Sequence, residues 1–445
     1  MKKSTIYGIV LVLFAVAIGF IVFKYKKEEK QKAETFYDLK PRSATLAMAG
    51  EWTTTQGEAK EYLTAIKSNP TDVKSRLKLA AVFIQEARVT GDYVYYDMAA
   101  MHYVDQVLAQ DSTNFDALTY KALLYLSQHH FAEGLATAKK AQLINPYNAF
   151  IYGLMVDGNV EMGDYKEAIS YADKMMALRP DIRSYSRVSY IREIHGEYPG
   201  AIEAMKMAVE SSPPGDENTE WARVQLGHLY EWSGDMKSAE MHYTISLQRR
   251  PDYPYAMAGL ARIATAKKDY PTAIKLYEKA AALVTDYSFN EELVDLYKAV
   301  GNNAMAEATA QKVVETLSKD AQKGMDDQSI GHYADRELAY AYLKVNNNDK
   351  ALEHALLEFN RRPENIDVNE TVAWAYYNKG DYAKALPYIK TALRTNSKNP
   401  TLLCRAGLIY SKNGDVANGK TIIAEALKNN PNIAASLRTQ AQQVM

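Results

Sequence analysis

Small apolar residues recur along this chain at a nearly constant distance. Gly134, Ala168, Ala201, Ala239, Ala273, Ala306, Ala351, Ala385 and Gly419 are separated by 34, 33, 38, 34, 33, 45, 34 and 34 residues. Several follow the same kind of turn: Gly163-Asp164-Tyr165 precedes Ala168, Gly196-Glu197-Tyr198 precedes Ala201, and Gly380-Asp381-Tyr382 precedes Ala385. A period near 34 predicts stacked helical hairpins rather than strands.

Each recurring position has a physical reason. The two helices of a hairpin approach within about 8–10 Å, and a small residue at the crossing lets the backbones come that close. Tyr and Leu one helical turn apart form the apolar stripe that packs on the next hairpin, and glycine supplies the turn between the helices. Pro146, Pro180, Pro251, Pro363 and Pro431 end second helices, because proline cannot continue the hydrogen-bond ladder. The two long steps read as connector insertions, one at Ser211 to Asp216 and one at Lys319 to Gly331.

The repeat from Glu220 to Tyr253 carries Leu226, Gly227, Tyr230, Gly234, Ala239, Tyr243 and Pro251. Partial matches are Met155, Gly163, Ala168 and Pro180; Leu338, Ala339, Tyr342, Ala351 and Pro363; Val372, Ala373, Tyr376, Gly380, Ala385 and Ala392; and Gly407, Tyr410, Gly414, Gly419, Ala426 and Pro431. This pattern resembles the tetratricopeptide repeat family. The resemblance implies an all-α fold, a right-handed α-solenoid of about nine to ten hairpins. The array is expected over residues 115–433. A degenerate repeat and cap precede it over 57–114, with Leu79, Ala80 and Phe83 in the repeat and Glu58 to Pro70 as a lone second helix. Residues 434–445 are expected to form a C-terminal capping helix.

At the N-terminus, Lys2 and Lys3 precede an uncharged apolar run from Ile6 to Phe23, followed by Lys24, Lys26, Lys27 and Lys30. Eighteen such residues span about 27 Å as helix, so residues 1–23 are expected to form a signal-anchor or transmembrane helix, with 24–56 as a linker. Ala15 and Ala17 also allow a cleaved signal, but the apolar residues continue past them. The expected placement is a single-pass membrane protein, in a bacterial inner membrane, with the array extracytoplasmic in preference to cytoplasmic.

Composition narrows function mainly by exclusion. Lys plus Arg (53) nearly equals Asp plus Glu (54), which argues against nucleic-acid binding, since neutralising phosphates needs clustered positive charge. The single cysteine, Cys404, excludes an intramolecular disulfide framework and has no identifiable base partner. The eight histidines form no His-Glu-x-x-His pair, so neither a metal nor another cofactor is expected. Gly414 to Thr421 matches the phosphate-loop pattern, but it falls on the turn and crossing of a hairpin with no strand before it. Nucleotide binding there is a distant alternative, and no enzyme activity is expected.

What remains is a membrane-anchored scaffold that holds a protein or peptide. The resemblance places ligands on the concave face made by the first helices, where this chain carries Arg183, Tyr190, Trp221, His228, Trp232, Tyr255, Arg262, Tyr333, Arg336, Tyr340, Trp374 and Tyr377. Tyr, Trp and Arg are enriched in binding hot spots. The bland reading is that several of these rings only pack between hairpins. The family's clamp for chaperone C-termini needs Lys at the fifth position of an early repeat, and none of Thr119, Gly153, Ser186 or Val224 is Lys. A self-associating structural component of the cell envelope is the alternative from another class, and a homo-oligomer is compatible with either.

Overall fold

The computed structural model describes residues 11, 13–24, 35–43, 46–326 and 331–445, and among these the regular structure is entirely helical. A lone helix, Ala49–Ser68, leads into ten hairpins. Hairpin 1 pairs Val73–Thr90 with Tyr93–Gln110, hairpin 2 Phe115–Ser127 with Phe131–Ile144, and hairpin 3 Ala149–Met162 with Tyr165–Leu178. Hairpin 4 pairs Ile182–Ile194 with Tyr198–Glu210, hairpin 5 Glu217–Trp232 with Met236–Arg249, and hairpin 6 Pro254–Ala266 with Tyr270–Leu283. Hairpin 7 pairs Tyr287–Ala299 with Asn303–Asp326, hairpin 8 Asp335–Lys344 with Asn348–Arg361, hairpin 9 Ile366–Lys379 with Tyr382–Ala392, and hairpin 10 Pro400–Lys412 with Val416–Asn429. Helix Ala435–Val444 covers the end, burying Leu437 and Ala441.

The crossing positions behave as their size requires. Ala168, Ala201, Ala239, Ala273, Ala351 and Ala385 are fully buried, and a Cβ on Gly419 would stand 2.6 Å from the Gly407 carbonyl oxygen. The aspartate of the turn motif has its own task. Asp164, Asp235, Asp269 and Asp415 each accept a hydrogen bond from the backbone N–H three residues on, which caps the second helix. At Asp415 the same cap opens helix Val416–Asn429, so Gly414 to Thr421 forms the turn and second helix of a hairpin with no strand before it.

The expected membrane helix over residues 6–23 must be corrected. Residues 1–10 and 12 lie outside the described residues, and the continuous described helix there runs over residues 13–24. Among the described residues no helix is long and apolar enough to cross a membrane. The single-pass placement therefore loses its support, and with it the choice between an extracytoplasmic and a cytoplasmic array.

Nor does the stretch before residue 57 all hang free. The lone helix begins at Ala49, and residues 35–43 run along hairpin 1, where the Tyr37 N–H donates to Tyr103 Oη at 3.2 Å and Lys40 N–H to Tyr96 Oη at 3.0 Å. Arg42 is buried and bridges Glu86 of hairpin 1 and Glu51 of the lone helix, while Arg250 of hairpin 5's end also reaches Glu51 at 2.9 Å.

Arg250 and Glu51 are 199 residues apart, and that interval recurs. Thr285 N–H donates to Thr90 O, Tyr333 N–H to Gln128 O, Ile366 N–H to Tyr165 Oη, and Asn430 Nδ2 to Glu231 O. The first three pairs join the turn inside one hairpin to the loop that precedes the hairpin six places later, and the last joins the turn of hairpin 5 to the loop before the C-terminal helix. The solenoid thus completes one turn in six hairpins, and the second turn rests directly on the first. Four glycines make this stacking possible. Gly91, Gly163, Gly196 and Gly234 have positive φ, and a Cβ on any of them would come within 2.3–2.9 Å of backbone atoms of the upper turn.

Asp97 of hairpin 1 is a buried exception to the apolar core. It accepts a hydrogen bond from Ser127 at 2.6 Å, while burial pushes its carboxyl up to about 7. An acid with a raised folded value favours the protonated, low-pH form of the fold, so its contribution is lost as pH rises through about 7. Asp97→Asn is expected to flatten the fall in melting temperature between pH 5 and 8. An unchanged pH profile would show that Asp97 is already ionised in the fold.

Candidate binding surface

Curvature decides which helices face inward. From hairpin 1 to hairpin 6 and again from hairpin 7 to hairpin 10 the first helix of one hairpin touches the first helix of the next, whereas the second helices make no comparable contacts with each other. First helices therefore line the inside of the curve, and because successive turns touch, that inside is a walled interior.

The twelve residues expected on this face divide by what already holds them. Arg262 donates to both carboxylate oxygens of Glu231 at 3.0 Å and to Tyr243 Oη at 3.2 Å. Tyr243 is fully buried and itself wedged against Gly227 and Gly259, so Arg262 braces hairpins 5 and 6. His228 lies between Trp232 and Tyr243, with ring centroids at 6.3 and 5.8 Å; burial holds its imidazole neutral, aided by Arg262. Trp221 and Trp232 are half-buried against the core cluster around Tyr198 and Ala222. Tyr255 meets Tyr253 and Phe289 edge-on. Tyr340 accepts from Arg405 at 3.0 Å, and Arg405 also pairs with Glu370 at 2.9 Å. Trp374 stacks on Tyr377 at 4.7 Å, and both pack on the core of the last hairpins. Tyr333 stands apart from the rest: it lies on the seam between turns, stacked on His130 at 4.0 Å.

Arg183, Tyr190 and Arg336 remain turned to the interior. Arg183 is exposed, its guanidinium 4.7 Å from the Phe150 ring centre. Tyr190 is 39% exposed, yet desolvation and the neighbouring Asp367, Glu161 and Glu193 raise its phenol well above the ordinary value. Water reaches such a ring while protein surrounds it, as a walled interior requires. Arg336 spans Tyr340 at 5.7 Å, and its Nε has no hydrogen-bond partner.

Sequence reasoning passed over the acids that share this space. Glu193 is pushed up to about 8, first by burial and then by Asp367. Glu291 is pushed up to about 7 by burial, with Lys344 pulling the other way and Glu292 adding to the rise. Glu161 is raised by burial against the pull of Arg362, and Glu292 by burial against that of Lys344. Among the described residues no ion pair engages Glu193, Glu291 or Glu292. Several interior cations are by contrast spent on acids: Arg187 on Asp157 at 2.5 Å, Arg88 on Glu217 at 3.1 Å, and Lys344 on Asp295 at 2.5 Å. Among the described residues Arg183 and Arg336 likewise stand in no ion pair, so the interior holds unpaired carboxylates beside unpaired guanidiniums. The glutamates on first helices were the available signal, but solvated faces carry the same residues.

The Cys404 thiol is buried, and burial pushes it up to about 11, so it stays protonated and poorly nucleophilic at neutral pH.

The family model described as tetratricopeptide repeat matches residues 224–288, 336–400 and 371–432. No curated protein matches the chain. Among solved structures, the human IFIT1 dimer with PPP-AAAA is 15% identical, with 78% of this chain and 80% of that chain covered and a TM-score of 0.48. PilF of Pseudomonas aeruginosa is 16% identical over 50% of this chain and 99% of that one, with a TM-score of 0.38. A thermophilic tetratricopeptide-repeat protein of Thermus thermophilus is 18% identical over 43% and 97%, with a TM-score of 0.37. The hairpins, their small crossing residues and the family match agree: residues 224–288 and 336–432 carry tetratricopeptide repeats, and the chain folds as an α-solenoid.

Proposed function

We propose that the chain is a non-catalytic scaffold whose inner surface holds a protein or peptide segment rich in lysine and arginine. The observation that supports this is a set of interior carboxylates raised by burial and held in no ion pair among the described residues: Glu193, which neighbours the exposed ring of Tyr190, and Glu291 and Glu292 on hairpin 7. Carboxylates raised by burial are destabilised as anions, and an incoming ammonium or guanidinium relieves that cost. Tyr190 offers a face for the same cation.

Fluorescence anisotropy with labelled lysine-rich, glutamate-rich and RNA oligomers tests the proposal. The lysine-rich peptide is expected to bind, with affinity rising as pH passes about 8 and Glu193 ionises. Glu193→Gln with Asp367→Asn removes two charge contacts worth roughly 0.5–1 kcal/mol each, a loss of roughly fivefold to thirtyfold, and flattens the pH dependence. Equal binding of the acidic peptide or of RNA, or an unchanged affinity in the double variant, would sink it.

A further inference from the structure

Where hairpin 2 meets hairpin 8 on the seam, the two turns are joined by imidazoles. His129 sits in the turn of hairpin 2 with φ +62, its Nδ1 3.1 Å from the Tyr333 carbonyl oxygen. His130 follows, with Nε2 2.5 Å from the Gly331 carbonyl oxygen. The His129 and His332 rings are 4.2 Å apart, and His129 Nδ1 is 3.7 Å from Glu337 Oε1. One potential ligand atom from each of His129, His332 and Glu337 lies within 4.8 Å of the other two. Glu337 is 8% exposed, and its Oε2 has no hydrogen-bond partner.

We propose that His129, His332 and Glu337 form a Zn2+ site that clasps the two turns of the solenoid. Two imidazoles and one carboxylate make a donor set that suits zinc or a neighbouring transition ion, whereas calcium and magnesium prefer oxygen alone. Zinc bonds of about 2.0–2.1 Å to tetrahedral donors bring those donors to about 3.3 Å from one another. The three side chains need close by little more than an ångström, and a water completes the fourth position. Backbone holds the parts in place: the Tyr333 carbonyl fixes the His129 ring, and Glu337 stands in the first turn of its helix. The unpartnered Glu337 oxygen gains a cation. The ligands come from hairpins 2 and 8, one full turn apart along the chain, so a bound ion would hold the first turn against the second.

The test uses the full chain, stripped with a chelator and titrated with Zn2+, Co2+, Mg2+ or Ca2+. Zinc is expected to bind one per chain and raise the melting temperature, cobalt to show the visible bands of a tetrahedral ion, and magnesium and calcium to do neither. Hydrogen exchange should slow on zinc binding in peptides covering both 127–133 and 331–338. Glu337→Gln and His332→Asn are expected to weaken zinc binding at least tenfold. If either fails to fold, His129→Asn carries the same test, because asparagine tolerates the left-handed backbone at that position. No zinc-induced shift in the unaltered chain, or uptake that persists undiminished in these variants, overturns the site; the latter means an adventitious ion only.

Discussion

Gly163→Ala is expected to destabilise the protein by about 3 kcal/mol or more, while Gly380→Ala, the same change at the equivalent turn of hairpin 9, costs only about 1–2 kcal/mol. Both glycines are left-handed, with φ of +83 and +82. A β-carbon on Gly380 meets nothing within 4 Å, so only the backbone conformation is penalised. A β-carbon on Gly163 would lie 2.3 Å from the carbonyl carbon and oxygen of Glu364 and 2.8 Å from Asn365 N. Backbone cannot step aside as a side-chain tip can. Relief requires the turns to part, which strains the Tyr165 bond to Ile366 N–H, the Asn365 amide bond to the Glu161 carbonyl, and the Arg394 bond to the Gly163 carbonyl. Because a solenoid can open locally, hydrogen exchange over 160–166 and 362–368 should accompany denaturant melts. Equal losses in the two variants would mean that the seam contributes nothing at this point.

Arg42→Met is expected to cost about 3–5 kcal/mol, and adding Glu86→Leu to restore most of it. Arg42 and Glu86 are both buried, and the guanidinium forks onto the carboxylate, with Nε 2.9 Å from Oε2. Removing the cation strands an anion in a dry site. Removing both leaves apolar side chains of similar volume and no stranded charge. Glu51 keeps Arg250 at 2.9 Å in either case. Its carboxyl is lifted by partial burial but held below the usual range by hydrogen bonds from Arg250 and Arg42. A depressed acid gives stability that is present above its unfolded value and lost as pH falls through its folded one. The single variant should therefore also soften this acid-side loss. Denaturant melts of the unaltered chain, both single variants and the double variant close the cycle, and an additive result would show that the two side chains do not interact.

Both effects arise in places that a reading of the pattern alone assigns to something simpler. Gly163 reads as a turn residue, which it is, but its second role comes from Glu364, six hairpins further along the chain. Arg42 falls in a stretch whose composition reads as linker. Its burial depends on Glu86 and Glu51 converging from two helices. Of the expected binding residues, Arg262 and Tyr340 proved engaged in bonds between hairpins and Tyr333 lies on the seam. Arg183 and Tyr190 face open space.

By itself, the amino-acid sequence determined the hairpins, their small crossing residues, their glycine turns and capping aspartates, and the solenoid class, because each depends on neighbours within about one repeat. The apolar run near the N-terminus expresses hydropathy but not a membrane span, and among the described residues no helix is long and apolar enough to cross a bilayer. Only the tertiary structure decided that six hairpins make a turn, which glycines carry the stacking, which arginines are consumed by acids, and where His129 meets His332. Those outcomes are sums of small rotations between successive hairpins. A modest rotation per repeat, invisible in any one repeat's residues, accumulates over six repeats into contact between distant parts of the chain.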